Sequence, residues 1–173
     1  MRLRFRPAQI PALEKRYVYA RVETDLMALC PEIRRRGHLT KEQLQLLAYW
    51  KSPRSAGQVE KNSESFVKEI TGLALSASDE RSRIEPLTLL DGVSWPTASV
   101  ILHMFHRDGY PILDVRALWS ASVKAPSVHG FALWSDYVAF TRSIAERASV
   151  SMRVLDRALW QYSKENQETL RAV

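Results

Sequence analysis

Leu90-Asp91-Gly92-Val93-Ser94-Trp95-Pro96-Thr97-Ala98, followed one apolar helix later by Tyr110-Pro111-Ile112-Leu113-Asp114, is the stretch on which the fold turns. Gly92 can take a positive φ that other residues avoid, so a tight turn fits there. Pro96 falls in the first turn of the following helix, where its missing N–H costs nothing. The free N–H groups of that first turn, with the helix dipole, attract an anion. Ala98, Ile101, Leu102 and Phe105 recur at helical spacing and give this helix a core face. A second turn then presents Asp114 ahead of Val115-Arg116-Ala117-Leu118, a good helix start.

Outward from this stretch the chain reads as helix throughout. Leu13, Tyr17, Val18, Val22, Leu26 and Leu29 recur at helical spacing, and Pro31 and Gly37 punctuate the chain beyond Leu29. Thr40 with Gln43 makes a capping box that opens a helix through Leu44, Leu47 and Ala48. Trp50-Lys51-Ser52-Pro53-Arg54-Ser55-Ala56-Gly57 reads as a loop. Phe66, Val67, Ile70, Leu73 and Ala74 stripe the next helix, which polar residues 76–79 end, and Ile84 to Leu90 gives a short one. Tyr137, Phe140, Thr141, Ile144 and Ala148 mark a late helix; Met152, Leu155, Leu159 and Tyr162 mark the last. The polar tail from Lys164 is expected to fray. No alternating strand pattern or fixed-period repeat competes, and no Pro-, Gly- or Ser-rich linker separates two domains. The expected fold class is all-α: one domain over residues 1–173, or two small helical lobes around a groove.

The 173 residues carry a net charge of +6, with 46% hydrophobic and 25% charged residues. The pI is about 9.7. This balance suits a soluble globular protein with a polyanionic partner. With one cysteine, Cys30, an internal disulfide framework and a four-cysteine iron–sulfur cluster are excluded. Cys30 reads as a small buried apolar residue. No apolar run has membrane-spanning length and no signal-peptide pattern occurs, so a cytoplasmic, nucleoid-associated location and no membrane partner are expected.

Leu90 to Leu102 resembles the helix-hairpin-helix of the base-excision DNA glycosylase superfamily, whose usual form is Leu-Pro-Gly-Val-Gly-x-x-Thr-Ala. The Gly/Pro-rich turn followed by aspartate, the other half of that signature, resembles Asp108-Gly109-Tyr110-Pro111-Ile112-Leu113-Asp114. Pro-Ile-Leu-Asp is especially like the adenine-mismatch branch, and the separation of twenty-two positions from Gly92 to Asp114 also fits. The resemblance covers residues 84 to about 122. Asp91 replaces the usual proline and Ser94 the second glycine. Pro96 stands where lyase members carry a Schiff-base lysine, so the resemblance implies a monofunctional enzyme. It would hydrolyse the N-glycosidic bond of a flipped base in double-stranded DNA and leave an abasic site. No cofactor is implied beyond a structural monovalent cation at the hairpin, and the expected state is a monomer.

The resemblance assigns catalysis to Asp114, whose carboxylate would stabilise positive charge building on the sugar. The plain alternative is an N-cap aspartate bonded to its own helix, and the two roles are compatible. Gly92, Val93, Ser94 and Thr97 are the expected phosphate contacts at the hairpin, with Asp114 facing it across a groove. A base that leaves the stack needs an aromatic pocket or wedge and flanking cations. Tyr49 and Trp50, with Lys51 and Arg54, are the best candidates; otherwise the two aromatics lie in the core and the two cations in solvent. Arg116 is read either as a phosphate contact or as half of a structural ion pair.

His103 and His106 lack further ligands for a metal site and read as surface or cap residues. Arg34-Arg35-Arg36 reads as a solvated helix end, Trp119, Trp134 and Trp160 as core, and Asp156 as half of a surface salt bridge. The excised base is not legible, and repair and defence against modified phage DNA are both compatible. A DNA-binding protein that keeps the hairpin scaffold without the chemistry is the alternative function.

Overall fold

The computed structural model describes residues 1–124 and 129–167, and every regular element among them is helical. Ten α-helices run in order: α1 (Ile10–Glu14), α2 (Arg21–Arg36), α3 (Lys41–Lys51), α4 (Pro53–Ala56), α5 (Glu64–Ser76), α6 (Glu80–Ile84), α7 (Trp95–Phe105), α8 (Val115–Ser120), α9 (Phe131–Arg147) and α10 (Met152–Asn166). Short 3-10 turns cover Pro7–Gln9, Gly57–Lys61 and Pro86–Leu89. The chain forms two compact units, one of residues 19–110 and one of residues 1–18 with 111–173.

In the unit of residues 19–110, α7 is the central helix and packs on α2, α3, α5 and α6. Its residues from Thr97 to Phe105 are all buried, so it is a core helix on every side rather than on one face. Leu26, Ile33, Leu44, Leu47, Val67 and Ala74 close around it. The Thr40–Gln43 capping box forms as expected: Thr40 Oγ1 accepts from Gln43 N at 3.2 Å and Gln43 Oε1 from Thr40 N at 3.0 Å. Gly37 ends α2 with a φ of +80°. Buried Thr71 ties the next turn down by accepting from Leu39 N at 3.0 Å.

In the other unit α10 is the hub, touching α1, α8 and α9. Leu155, Ala158 and Leu159 of α10 are fully buried with Ile10 of α1. Residues 2–5 lie beside the end of α8: Arg2 N donates to Ala121 O at 3.1 Å and Arg4 N to Ser120 O at 2.9 Å. The Arg4 guanidinium lies over Trp119, 4.4 Å from the ring centroid.

Several sequence expectations change. The apolar period running from Leu13 to Leu29 is two helices, broken at residues 15–20 around Tyr17-Val18-Tyr19, whose β-branched and aromatic side chains are poor helix formers. Pro31 lies inside α2 rather than ending it. The expected loop from Trp50 is mostly helical: Trp50 and Lys51 finish α3, and Pro53 starts α4. On α5 the buried residues are Val67, Thr71 and Ala74, while Phe66 is 37% exposed and Leu73 50%. α10 continues through Lys164 to Asn166, and residues 168–173 of the polar tail lie outside the described residues.

Candidate functional site

The hairpin forms around Gly92, whose φ is +80°. Space demands glycine as well. A Cβ there would sit 3.0 Å from Ser55 O, Val59 N and Val59 Cγ2. The turn is closed by Val93 N donating to Leu90 O at 3.0 Å. Asn62, which is buried, fastens it from below. Its Nδ2 donates to Asp91 O at 3.0 Å and its Oδ1 accepts from Asp91 N at 2.9 Å.

Pro96 falls in the first turn of α7. Ser94 is the N-cap residue, yet its side chain makes no capping bond. Among the described residues no acceptor meets the N–H of Gly92, Ser94 or Trp95, and all three residues are at least partly exposed. An uncapped helix start behind a positive-φ glycine can receive an anion. Asp91 is exposed at the same hollow, which has a volume of about 430 Å³.

Two of the expected hairpin contacts are interior. Thr97 is fully buried and its Oγ1 has no hydrogen-bond partner among the described residues. Val93 is 6% exposed and its N–H is consumed by the turn. Gly92 and Ser94 remain accessible. Leu90 O accepts from Val93 N and Asp91 O from Asn62 Nδ2. Each of these two carbonyls thus takes one protein donor and helps to close the turn.

Ser55, at the end of the segment that carries Lys51 and Arg54, is brought to the hairpin. Ser55, whose carbonyl faces Gly92, follows exposed Arg54 on α4. Lys51 is half-buried at the end of α3 and Trp50 is half-buried beside it. Tyr49 is 54% exposed but opens elsewhere, onto a cavity of about 650 Å³ rimmed by Asp25, Glu32 and Glu42. Arg36 lines the same cavity and pairs with Glu32.

In the other unit, Asp114 is the N-cap of α8 and its Oδ1 accepts from Arg116 N at 2.9 Å. The side chain is half-buried. Asp156 is 8% exposed and is no surface ion-pair residue: its Oδ1 accepts from buried Ile112 N at 2.8 Å and so holds the turn that delivers Asp114. Tyr137 on α9 is fully buried and its hydroxyl has no hydrogen-bond partner among the described residues. Burial, then the charges of Asp156 and Asp114, push that phenol well above its ordinary pKa, so it keeps its proton. The sequence signal for Asp156 was an acid on the apolar stripe of Met152, Leu155 and Leu159. Tyr137 gave none, because its spacing matched an ordinary core face.

His103 and His106 are interior rather than surface residues. His103 Nδ1 lies 2.5 Å from Tyr110 O, and His106 Nδ1 accepts from Asp108 N at 3.0 Å. Arg83, also buried, donates to Asp108 at 3.0 Å and to the Tyr110 hydroxyl at 2.6 Å. This network fixes the turn before Pro111. No group of three or more His, Cys, Asp or Glu among the described residues is placed to hold a metal ion. In the Arg34–Arg36 run, Arg34 donates to Met104 O at 3.0 Å, Arg36 pairs with Glu32 at 2.9 Å and also binds Gln43, and Arg35 is exposed. Cys30 is partly exposed rather than buried. Among the described residues no helix is long and apolar enough to cross a membrane.

Comparison with known proteins gives no relative: no protein-family model, curated protein or solved structure matches the chain. The class of protein that fold and site define is an all-helical one with an uncapped glycine hairpin and a separately held aspartate.

Proposed function

We propose that this chain is a monofunctional DNA glycosylase. The observation that carries the reading is the uncapped start of α7 behind Gly92, with the N–H groups of Gly92, Ser94 and Trp95 unmatched by any acceptor among the described residues. Such a turn receives a phosphate without reading base sequence. Arg54, next to the Ser55 carbonyl that faces Gly92, adds a cation to the same strand contact.

Asp114 supplies the chemistry. Breaking the base–sugar bond leaves the electron pair on the base and builds positive charge on the sugar ring. An ionised carboxylate beside C1′ stabilises that charge and orients the water that attacks it. The helix cap fixes the Asp114 rotamer, so the carboxylate needs no reorganisation as the bond breaks. Pro96 has no amine, so strand cutting through a Schiff base does not follow base release. The substrate is a base extruded from duplex DNA, whether a lesion or a phage modification.

One observation favours the second reading, a DNA-binding scaffold without chemistry: the bond from Arg116 N already accounts for Asp114 structurally. Asp114→Asn separates the two. Asparagine caps a helix about as well as aspartate, so stability stays within about 0.5 kcal/mol. Base release is read on duplexes carrying a panel of damaged or modified bases, with alkali to reveal abasic sites. Release by the parent and its loss in Asp114→Asn, with binding retained, supports the glycosylase. Salt-sensitive binding with no abasic product from any duplex supports the scaffold.

A further inference from the structure

Trp160 on α10 carries two cations. The Arg116 guanidinium lies 5.5 Å from its ring centroid and the Lys164 ammonium 5.3 Å. Tyr17 meets the same indole edge-on at 5.3 Å and keeps the ring from turning. Two further cations nearby are already neutralised: Arg16 by Glu165 at 2.8 Å and Arg157 by Glu14 at 3.1 Å. Glu165, held by Arg16, lies close enough to Lys164 to feel its charge, but neither Arg116 nor Lys164 has a carboxylate at ion-pair distance among the described residues.

The indole does more than attract them. Each cation is drawn to the negative face of the ring. That also restricts two long side chains before any ligand arrives, so less freedom is lost on binding. Arg116 brings a planar fork suited to two phosphate oxygens and Lys164 a point charge. Arg116 also stands two residues after Asp114, on the helix that Asp114 caps. A carboxylate that must approach the sugar of a polyanion repels the adjoining phosphates. Cations fixed nearby offset that repulsion.

We propose that Arg116 and Lys164, braced on Trp160, form a backbone clamp for the DNA strand whose sugar Asp114 acts on. The clamp rests on the DNA reading above. It gives the Asp114-bearing unit its own grip on the strand, independent of the Gly92 hairpin.

The test is the salt dependence of binding to a short labelled duplex, for the full chain and its variants. In Arg116→Gln and Lys164→Gln the slope of log K against log salt falls by about one each, and by about two in the double variant. Arg116→Lys keeps the slope. Trp160→Leu keeps both charges, so affinity falls with the slope unchanged. Melting curves for each variant exclude misfolding as the cause. A double variant with the parent's slope and affinity, in a chain that binds DNA in a salt-sensitive way, overturns the clamp and leaves the DNA reading standing. No salt-sensitive binding by the parent overturns both.

Discussion

Asn62 holds Asp91 from both sides of one residue: Nδ2 donates to Asp91 O at 3.0 Å while Oδ1 accepts from Asp91 N at 2.9 Å. The same Nδ2 also donates to Val59 O at 2.9 Å. Asn62→Ala leaves these groups without their partner, at a cost of about 2 kcal/mol in unfolding free energy. Chemical denaturation measures the loss. DNA affinity falls with it, because the hairpin loses its anchor while its own residues are unchanged.

Gly92→Ala is expected to be more damaging than its single methyl suggests. A left-handed alanine costs about 1–2 kcal/mol. The methyl also meets the backbone of Ser55 and Val59 at 3.0 Å, atoms that cannot swing aside. The expected total is a loss of about 3 kcal/mol, with strain and the left-handed cost adding. A thermal melt near the parent's would mean the turn can be rebuilt without a positive φ.

Asp91→Asn should tighten DNA binding. Asp91 is exposed beside the turn that would hold a phosphate, and no cation pairs with it among the described residues. Removing this like charge raises affinity by about three-fold at low salt, and the gain shrinks as salt screens it. Its backbone bonds to Asn62 remain, so stability does not move. Fluorescence titration at two salt concentrations reads both effects.

Stability should depend on the protonation of His106. Burial, then the Arg83 charge, hold its imidazole below the ordinary value of 6.5, and Asp108 opposes them only in part. Arg107 also lowers it and Glu80 raises it. The neutral Nδ1 accepts from Asp108 N, and protonation removes that acceptor. Between the folded and ordinary values the unfolded chain binds the extra proton, so stability rises with pH. The contribution is complete above the ordinary value and is lost as pH falls through it toward the folded one. Denaturation midpoints measured across this interval should decline on acidification, and His106→Gln should flatten the decline.

Local rules carried much of this fold. Gly92, the Thr40–Gln43 box and the cap at Asp114 each follow from chemistry within three residues of the position concerned. Helix breaks were harder, because the apolar period of Leu13 to Leu29 continues across residues that are not helical. The tertiary roles of Asp156 and Asn62 were illegible for another reason. Their partners, Ile112 and Asp91, lie 44 and 29 positions away. Periodicity reports which face of a helix is buried; it says nothing about a side chain that ties down a distant turn. Tyr49 shows the same limit, since its exposed ring gave no hint of the acids from α2 that surround it.

The stretch at residues 2–5, bonded along the end of α8, belongs to a unit made of residues 1–18 and a second segment that begins at position 111. On a ribosome those first residues emerge long before their partners exist. Residues 19–110 are complete, with α7 and its surrounding helices, while the early segment still waits. Ile10 and Leu13 must stay unburied through that interval, and the last unit to close does so only once α10 has been made. The order of synthesis therefore favours the hairpin over the Asp114 turn: the part that would grip a strand matures first, and the part that would cut a base loose comes last.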